Sequence, residues 1–537
     1  MRQQDEIDVP VSLSIDPYTG AWGAEQAAHL LRRTLFGPTF QQIQDTVALG
    51  MSDAVDQLLT LVPTDPPLTT SSDEEVAAIG QTWVNSVLPS VSPQLTENAR
   101  RSSFAAWMME RLNKREFSIQ EKMCLFWQNH FAAVFTFDSR ASYNYHELIR
   151  TSSLGNYKQF VKDITIDPSM LLFLSGASNN QFSPNENFAR ELLELYTVGK
   201  GPQIALGDYT NFKELDIQEA SKILTGWTVV GLLSDTETTT SSEFVPVLHD
   251  TSTKTLSEHF DFEQIVGNGQ NEYADLIDVI FLQDEVATFI CKKLYRWFVN
   301  YDLTQIVEDT IIAEMSATFV SNNYEILPVL SQLFKSEHFY DVSLRGTIIK
   351  NPVEYIFSMY NSTLSTPSYN LAENYELYLF AYNGSTVLGM DYANPPSVGG
   401  WTAYYQAPAY SRLWANSSFI KLRFDISDLL TIAGGINVNG NTWGVNHIDF
   451  LDGLSNPSSP QDVIDDIVTV FCAKGLDALK KVTLKAILTN GLPDFEWTIQ
   501  YNEYLSDPTN PVVVDPVRQR IAFVLSTLYK MPEFQAI

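Results

Sequence analysis

Two patterns in this 537-residue chain predict a mainly α fold, a large multi-helix, bundle-like domain with irregular loop and hairpin insertions. Apolar residues recur at helical spacing through most of the length, and helix start and stop residues bracket those runs. A third observation, 45% apolar and 12% aromatic residues, supplies a sizeable core and excludes disorder as the main state.

The spacing predicts a first helix over 21–33, stopped by Phe36-Gly37-Pro38, and a second capped by Thr39 that ends near Gly50. Residues 62–98, rich in Pro, Ser and Thr, read as a long connection around one short helix. Ser118 and Glu121 form a capping box ahead of a helix whose Ile119, Met123, Phe126, Trp127, His130 and Phe131 share a face. Ser183-Pro184-Asn185-Glu186 starts a helix that runs to Gly199. Asp216 with Glu219 starts another, which ends at Thr225-Gly226-Trp227. Residues 228–262 read as an irregular insertion or small hairpin.

Helices resume over 272–360, with Asp284 as a cap and Phe289, Ile290, Leu294 and Phe298 on one face. Residues 362–375 read as loop, and 389–412 hold too many Pro, Gly and Tyr residues for regular structure. The last hundred residues return to helices, with loops at 433–446 and 504–516. The expected organisation is an extension at 1–20 and a helical core at 21–425, with insertions at about 62–98, 228–262 and 362–410. A C-terminal helical region at 426–537 packs on that core.

The formal net charge of −30 repels phosphate backbones and anionic lipid, so nucleic acid and membrane surfaces are excluded as partners. Cys124, Cys291 and Cys472 are far apart and none sits in a C-x-x-C pair, against a zinc knuckle or a disulfide scaffold. No secretory signal, twin arginine or apolar run of about 18 residues is visible, which predicts a soluble chain without membrane insertion, cytoplasmic on its own signals.

H-E-x-x-H, G-x-S-x-G, P-loop and dinucleotide-binding patterns are absent. His130, beside Asn129, is the histidine that points most clearly to chemistry, as acid, base or ligand; the plain alternative is a core histidine bonded to a backbone carbonyl. Asn185, Glu186, Arg190, Glu191 and Glu194 form a polar stripe, with Glu186, Arg190 and Glu194 at i, i+4 and i+8. Turned inward, it makes Arg190 an anion anchor and Glu191 or Glu194 an acid or base; turned outward, it is a solvated ion-pair ladder. His249 and Asp250 suit a divalent metal, completed by His130 with Glu191 or Glu194. Trp227, Trp401, Tyr404, Tyr405 and Tyr410 suit stacking on a ligand ring, or plug the ends of the bundle.

Several segments together carry a family likeness. They are AHLLRRTLFGPT (28–39), EKMCLFWQNHF (121–131), NENFARELLELYTVG (185–199), IQEASKILTGWT (217–228), His249-Asp250 with Lys254-Thr255, KKLYRWFV (292–299), NPVEYI (351–356), and PPSVGGW (395–401) with RLWANS (412–417). In order and spacing they resemble the bacterial family called domain of unknown function 1800. The resemblance implies a large helical protein and a partner resembling alkaline-phosphatase- and sulfatase-type hydrolases. It also implies a periplasmic or cell-surface destination through co-export with that partner. With the aromatic loops and the carboxylate–histidine set, this suggests an accessory or enzyme acting on glycans or esters, while the lack of a catalytic motif suggests instead a non-catalytic binding or assembly module, and a structural surface protein is the third reading. The resemblance itself implies no activity. Gln128 and Asp284-Glu285 stand where relatives often carry histidines, which weakens any metal site built on those positions.

Overall fold

The computed structural model describes residues 11–134 and 138–537. Helices dominate them, and their strands form four two-stranded antiparallel pairs. The molecule is mainly α, with helices packed on helices around one connected apolar core. Of the expected N-terminal extension, residues 1–10 lie outside the described residues. The stretch after them runs antiparallel to the chain beyond helix Ile326–Phe334: Tyr18 N–H donates to the Lys335 carbonyl (2.7 Å) and Glu337 N–H to that of Asp16 (2.8 Å).

Thr39 caps helix Phe40–Leu49 in a capping box with Gln42. Gly37 has φ +97°, and a Cβ there would stand 2.5 Å from Ser358 Cα, so the Phe36-Gly37-Pro38 turn lies flush on helix Pro352–Ser362.

Other helix starts differ from the expectation. Ser118 forms no capping box: its hydroxyl donates to the Thr60 carbonyl (2.5 Å), and Glu121 pairs with Arg150. Helix Gln120–His130 is enclosed on nearly every side, since Lys122, Cys124 and Gln128 are buried along with the apolar face. Asn185, not Ser183, caps helix Glu186–Glu191, accepting from Asn187 N–H (2.9 Å). Helix Glu214–Ile223 begins before Asp216, whose carboxylate accepts from Lys213 N–H (2.7 Å). Asp284 lies in the first turn of Asp284–Phe298, after the cap residue Gln283.

The 228–262 stretch holds the expected hairpin, Trp227–Val230 with Ser241–Phe244. The long connection ends earlier than expected, at Pro93, and holds no helix before it. The expected loop at 362–375 holds as far as Asn370; from there helix Leu371–Val387, started by an Asn370–Glu373 capping box, runs through the middle of the expected 362–410 insertion. Its buried Tyr375, Leu377, Tyr378 and Ala381 share one face, but Phe380 and Val387 are exposed on the opposite one, so the sequence shows no clean apolar stripe there. It packs along helix Pro93–Asn113, where Tyr378 donates to Asn113 Oδ1 (3.0 Å) and Asn113 Nδ2 to Asn361 Oδ1 (2.7 Å). Asn361 Nδ2 in turn donates to the Phe36 and Leu112 carbonyls (2.8 Å each), so one buried amide chain ties four segments.

The expected loop at 433–446 contains a hairpin, Ile436–Val438 with Asn441–Trp443. That at 504–516 shrinks to a short break, because Asn510 caps helix Pro511–Tyr529 and Pro516 is accommodated inside it. The tail pairs with residues 348–350: Lys350 N–H donates to the Gln535 carbonyl (2.8 Å) and Ile537 N–H to that of Ile348 (2.9 Å). Among the described residues no helix is long and apolar enough to cross a membrane.

Candidate functional site

Four segments separated in sequence meet at one cleft: the end of helix Gln120–His130, the turn after Glu191, helix Asp284–Phe298 and the loop near 399–411. The second of these explains the geometry. Beyond Glu191 the helix widens into a π turn over Leu192–Tyr196, which releases carbonyls from the ordinary ladder. Lys293 Nζ donates to the Leu195 carbonyl (3.0 Å), while the Tyr157 hydroxyl donates to that of Tyr196. Gly199 (φ +72°) ends the turn, and a Cβ there would stand 2.7 Å from the Phe289 ring.

His130 lies at the floor of the cleft. Its Nδ1 accepts from Lys293 Nζ (2.9 Å), and its Nε2 lies 3.0 Å from the Tyr157 hydroxyl and 3.3 Å from the Tyr196 carbonyl. The ring is thus engaged on both nitrogens, and the alternative of a histidine bonded to a backbone carbonyl is part of what the structure contains. Burial, with the Lys293 charge beside it, holds the imidazole pKa well below its usual value, so the ring is neutral near pH 7. Burial, with the like charge of Arg296, pushes the Lys293 amine down to about 7. Lys293 therefore exists as both ammonium and amine near neutrality, 4.5 Å from the Phe289 ring centroid.

The fourth segment is clamped by Asn129. Its Oδ1 accepts from Trp401 N–H (2.9 Å), and Gly400 (φ +85°) lies so close that a Cβ would stand 2.3 Å from that oxygen. The clamp sets Tyr404 over Trp297, ring centroids 4.3 Å apart, with its hydroxyl accepting from Asn351 Nδ2 (3.1 Å). Tyr301 and Tyr410 stack at 5.4 Å beside Arg296. The enclosed space is about 90 Å³, lined by His130, Lys293, Arg296, Tyr404, Tyr405, Tyr410 and their neighbours, with no Asp or Glu in the lining.

Of the residues singled out from sequence, the structure brings Asn129, His130, Tyr404, Tyr405 and Tyr410 to this cleft and buries Trp401 behind it. The polar stripe lies elsewhere. Arg190 makes a two-pronged pair with Glu214 (2.8 and 2.9 Å) and a looser one with Glu186 (3.4 Å), while Glu194 pairs with Lys200 (3.1 Å). Glu191 is half-buried, and burial with the charge of Glu194 raises its pKa. Asn185 serves as a helix cap. Trp227 packs edge-on against Phe244 and Tyr273.

His249 and Asp250 diverge. His249 is buried, its Nδ1 2.9 Å from the Thr225 carbonyl. Its Nε2 lies 3.2 Å from Glu272, within ion-pair range but misaligned for a hydrogen bond. Asp250 faces Ser252. Among the described residues no group of three or more His, Cys, Asp or Glu is placed to hold a metal ion.

Sequence reasoning passed over Lys293, Arg296, Trp297 and Tyr301. The first three stand at i, i+3 and i+4 on a helix read for its apolar face, and that polar spacing was the available signal.

The fold and the cleft define a class of helical protein in which segments quoted for their family likeness converge on one aromatic, cation-lined cleft. The chain belongs to the DUF1800 family, described as protein of unknown function, whose model matches residues 29–536. The likeness noted over 21–425 therefore continues through the C-terminal helices. No curated protein and no solved structure matches the chain.

Proposed function

We propose that the cleft binds a small organic anion carrying a flat ring, and that the protein is a binding accessory to a phosphatase- or sulfatase-like partner acting on glycans or esters. The observation that carries this reading is the charge of the lining. In a chain of net charge −30 the cleft walls hold Lys293 and Arg296 and no carboxylate. A cation pair without counter-charge favours an anion, and the surrounding tyrosines offer faces for a ring. The enclosed 90 Å³ suits the charged head, with the ring at the Tyr405 and Tyr410 rim.

An enzymatic reading is favoured by one contact. A neutral His130 accepting from a lysine poised near pH 7 can relay a proton, or the amine can add to a carbonyl.

Titration calorimetry with two monoanions, 4-nitrophenyl sulfate and 4-nitrobenzoate, tests the binding reading, with 4-nitrophenol as the neutral control. Saturable binding of the anions, weakened at least about tenfold in Lys293→Gln and Arg296→Gln, is expected. Equal affinity for 4-nitrophenol, or undiminished binding in both variants, overturns it. Release of nitrophenol that is lost in Lys293→Gln establishes the enzymatic reading.

A further inference from the structure

A second, larger cleft of about 580 Å³ opens between helix Ala24–Thr34, the turn at 342–345, and the connection from helix Pro460–Phe471 to helix Ala478–Leu488. It shares no lining residue with the aromatic cleft. Its volume falls within the roughly 300–1,000 Å³ of small-molecule sites.

The lining holds four cations, Arg32, Arg345, Lys474 and Lys481, against two carboxylates, Glu25 and Asp465. Lys481 pairs with Asp465 (2.8 Å), and Arg345 Nη1 with Glu25 (3.1 Å). Arg32 spends one guanidinium nitrogen on the Thr469 and Val470 carbonyls (2.6 and 3.2 Å), and neither it nor Lys474 has a carboxylate partner among the described residues. An excess of two positive charges is left.

The donors are set in place but not used. Arg345 is 4% exposed, and its Nε and Nη2, like Arg32 Nε, are buried with no hydrogen-bond partner among the described residues. An unpartnered buried guanidinium nitrogen leaves its charge unanswered by the protein, which favours an anion close by. Lys474 is exposed, and its stem lies 3.4 Å from where a Cβ at Gly346 would stand, next to Arg345. Glu25, whose side chain is 78% exposed, is the more exposed of the two carboxylates and can turn into water when a stronger anion arrives. Burial already holds Arg32 down to about 10, in keeping with a cation lacking its counter-charge.

We propose that this cleft binds a small molecule bearing a dianionic phosphate group, with the phosphate at Arg345, Arg32 and Lys474. The excess of two charges matches a phosphate monoester, which carries about −1.5 to −2 at pH 7. A carboxylate supplies only one charge, and the fork of Arg345 suits two oxygens of one phosphorus.

Calorimetry on the full chain, with inorganic phosphate, glucose 6-phosphate, acetate and glucose as probes, tests the proposal. Both phosphates bind one per chain, acetate binds about tenfold more weakly, and glucose does not bind. Lys474→Glu, a surface change that leaves the core intact, weakens phosphate binding about tenfold or more, and Glu25→Gln tightens it. Lys293→Gln, in the aromatic cleft, leaves it unchanged, which separates this proposal from the preceding one. Phosphate binding that survives Lys474→Glu, that is lost in Lys293→Gln, or that never saturates overturns the proposal.

Discussion

Lys293 lies 2.9 Å from Nδ1 of His130, and while the lysine is an ammonium this contact assigns the imidazole tautomer. An ammonium has protons only to give, so Nδ1 must carry the lone pair and Nε2 the proton. That proton faces the Tyr157 oxygen and the Tyr196 carbonyl, while the Tyr157 hydroxyl gives its own proton to the same carbonyl. Every donor in the group has an acceptor, and the π turn is what supplies the carbonyls. If Lys293 releases a proton, the imidazole and tyrosine can keep their places.

The first prediction concerns the lysine itself. After reductive methylation with ¹³C, one lysine resonance should titrate near pH 7 and be missing from Lys293→Arg. Removing the neighbouring like charge with Arg296→Gln should move that midpoint upward, and unfolding should carry it to about 10.4. A spectrum in which every lysine titrates near the unfolded value contradicts the burial argument.

Acid should unfold the protein through its histidines. Burial holds His29, His130 and His146 well below the usual imidazole pKa, lowers His338, and pushes His447 down to about 4. In the unfolded chain each takes up a proton near pH 6.5, whereas the folded chain does not until lower pH, so stability falls as pH drops below about 6.5. Each histidine contributes at most about 1.4 kcal/mol per pH unit, and none contributes above that range. Asp167 acts in the opposite sense. Burial raises its carboxyl to about 7, so between about 3.9 and 7 the folded state holds the extra proton and gains stability as pH falls, offsetting about one histidine. Urea unfolding between pH 7 and 5 should show the net loss, and His146→Phe should flatten it; a level profile contradicts the account.

How much of this was legible in sequence follows from what each residue touches. Thr39 and Gly37 act locally, so their cap and turn could be read from neighbours in the chain. Ser118 and Asp284 carried the same signals and were overruled by tertiary partners or a neighbouring cap residue. Asn370 with Glu373 was an equally good start signal, hidden by the absence of an apolar stripe after it. At the cleft, Asn129, His130, Tyr404, Tyr405 and Tyr410 stood out by residue type. Lys293 and Arg296 did not, because a basic residue on a helix ordinarily signals a solvated face, and only the fold shows that no carboxylate accompanies them.

The Asn129–Gly400 clamp should be the least tolerant point of the cleft. Gly400→Ala adds a Cβ 2.3 Å from Asn129 Oδ1 and 2.5 Å from its carbonyl oxygen at a φ of +85°. Neither the backbone angle nor the contact with the carbonyl oxygen can be relieved by a rotamer change, so a loss of about 2–4 kcal/mol is expected from overpacking and strain together. Asn129→Ala removes the acceptor of Trp401 N–H and should cost about 1–3 kcal/mol. Denaturant unfolding measures both. A Gly400→Ala protein as stable as the parent would mean that the loop is not held where the structure has it.

A buried ion pair offers the sharpest energetic test. Lys122 and Glu354 are hydrogen-bonded to each other, with side chains 2% and 10% exposed, and Glu354 also accepts from Asn351 N–H (3.0 Å) at the start of helix Pro352–Ser362. Burial lowers the Lys122 pKa while Glu354 raises it, so the cation depends on its partner. Glu354→Gln keeps the cap but strands the ammonium and should cost about 3–5 kcal/mol. Lys122→Met strands the carboxylate but leaves it able to take up a proton, and should cost somewhat less. In the double variant neither charge remains, so its loss should fall well short of the two single losses added together. Losses that simply add would mean that the two groups do not stabilise each other, and that the helix start at Asn351 is held by the cap alone.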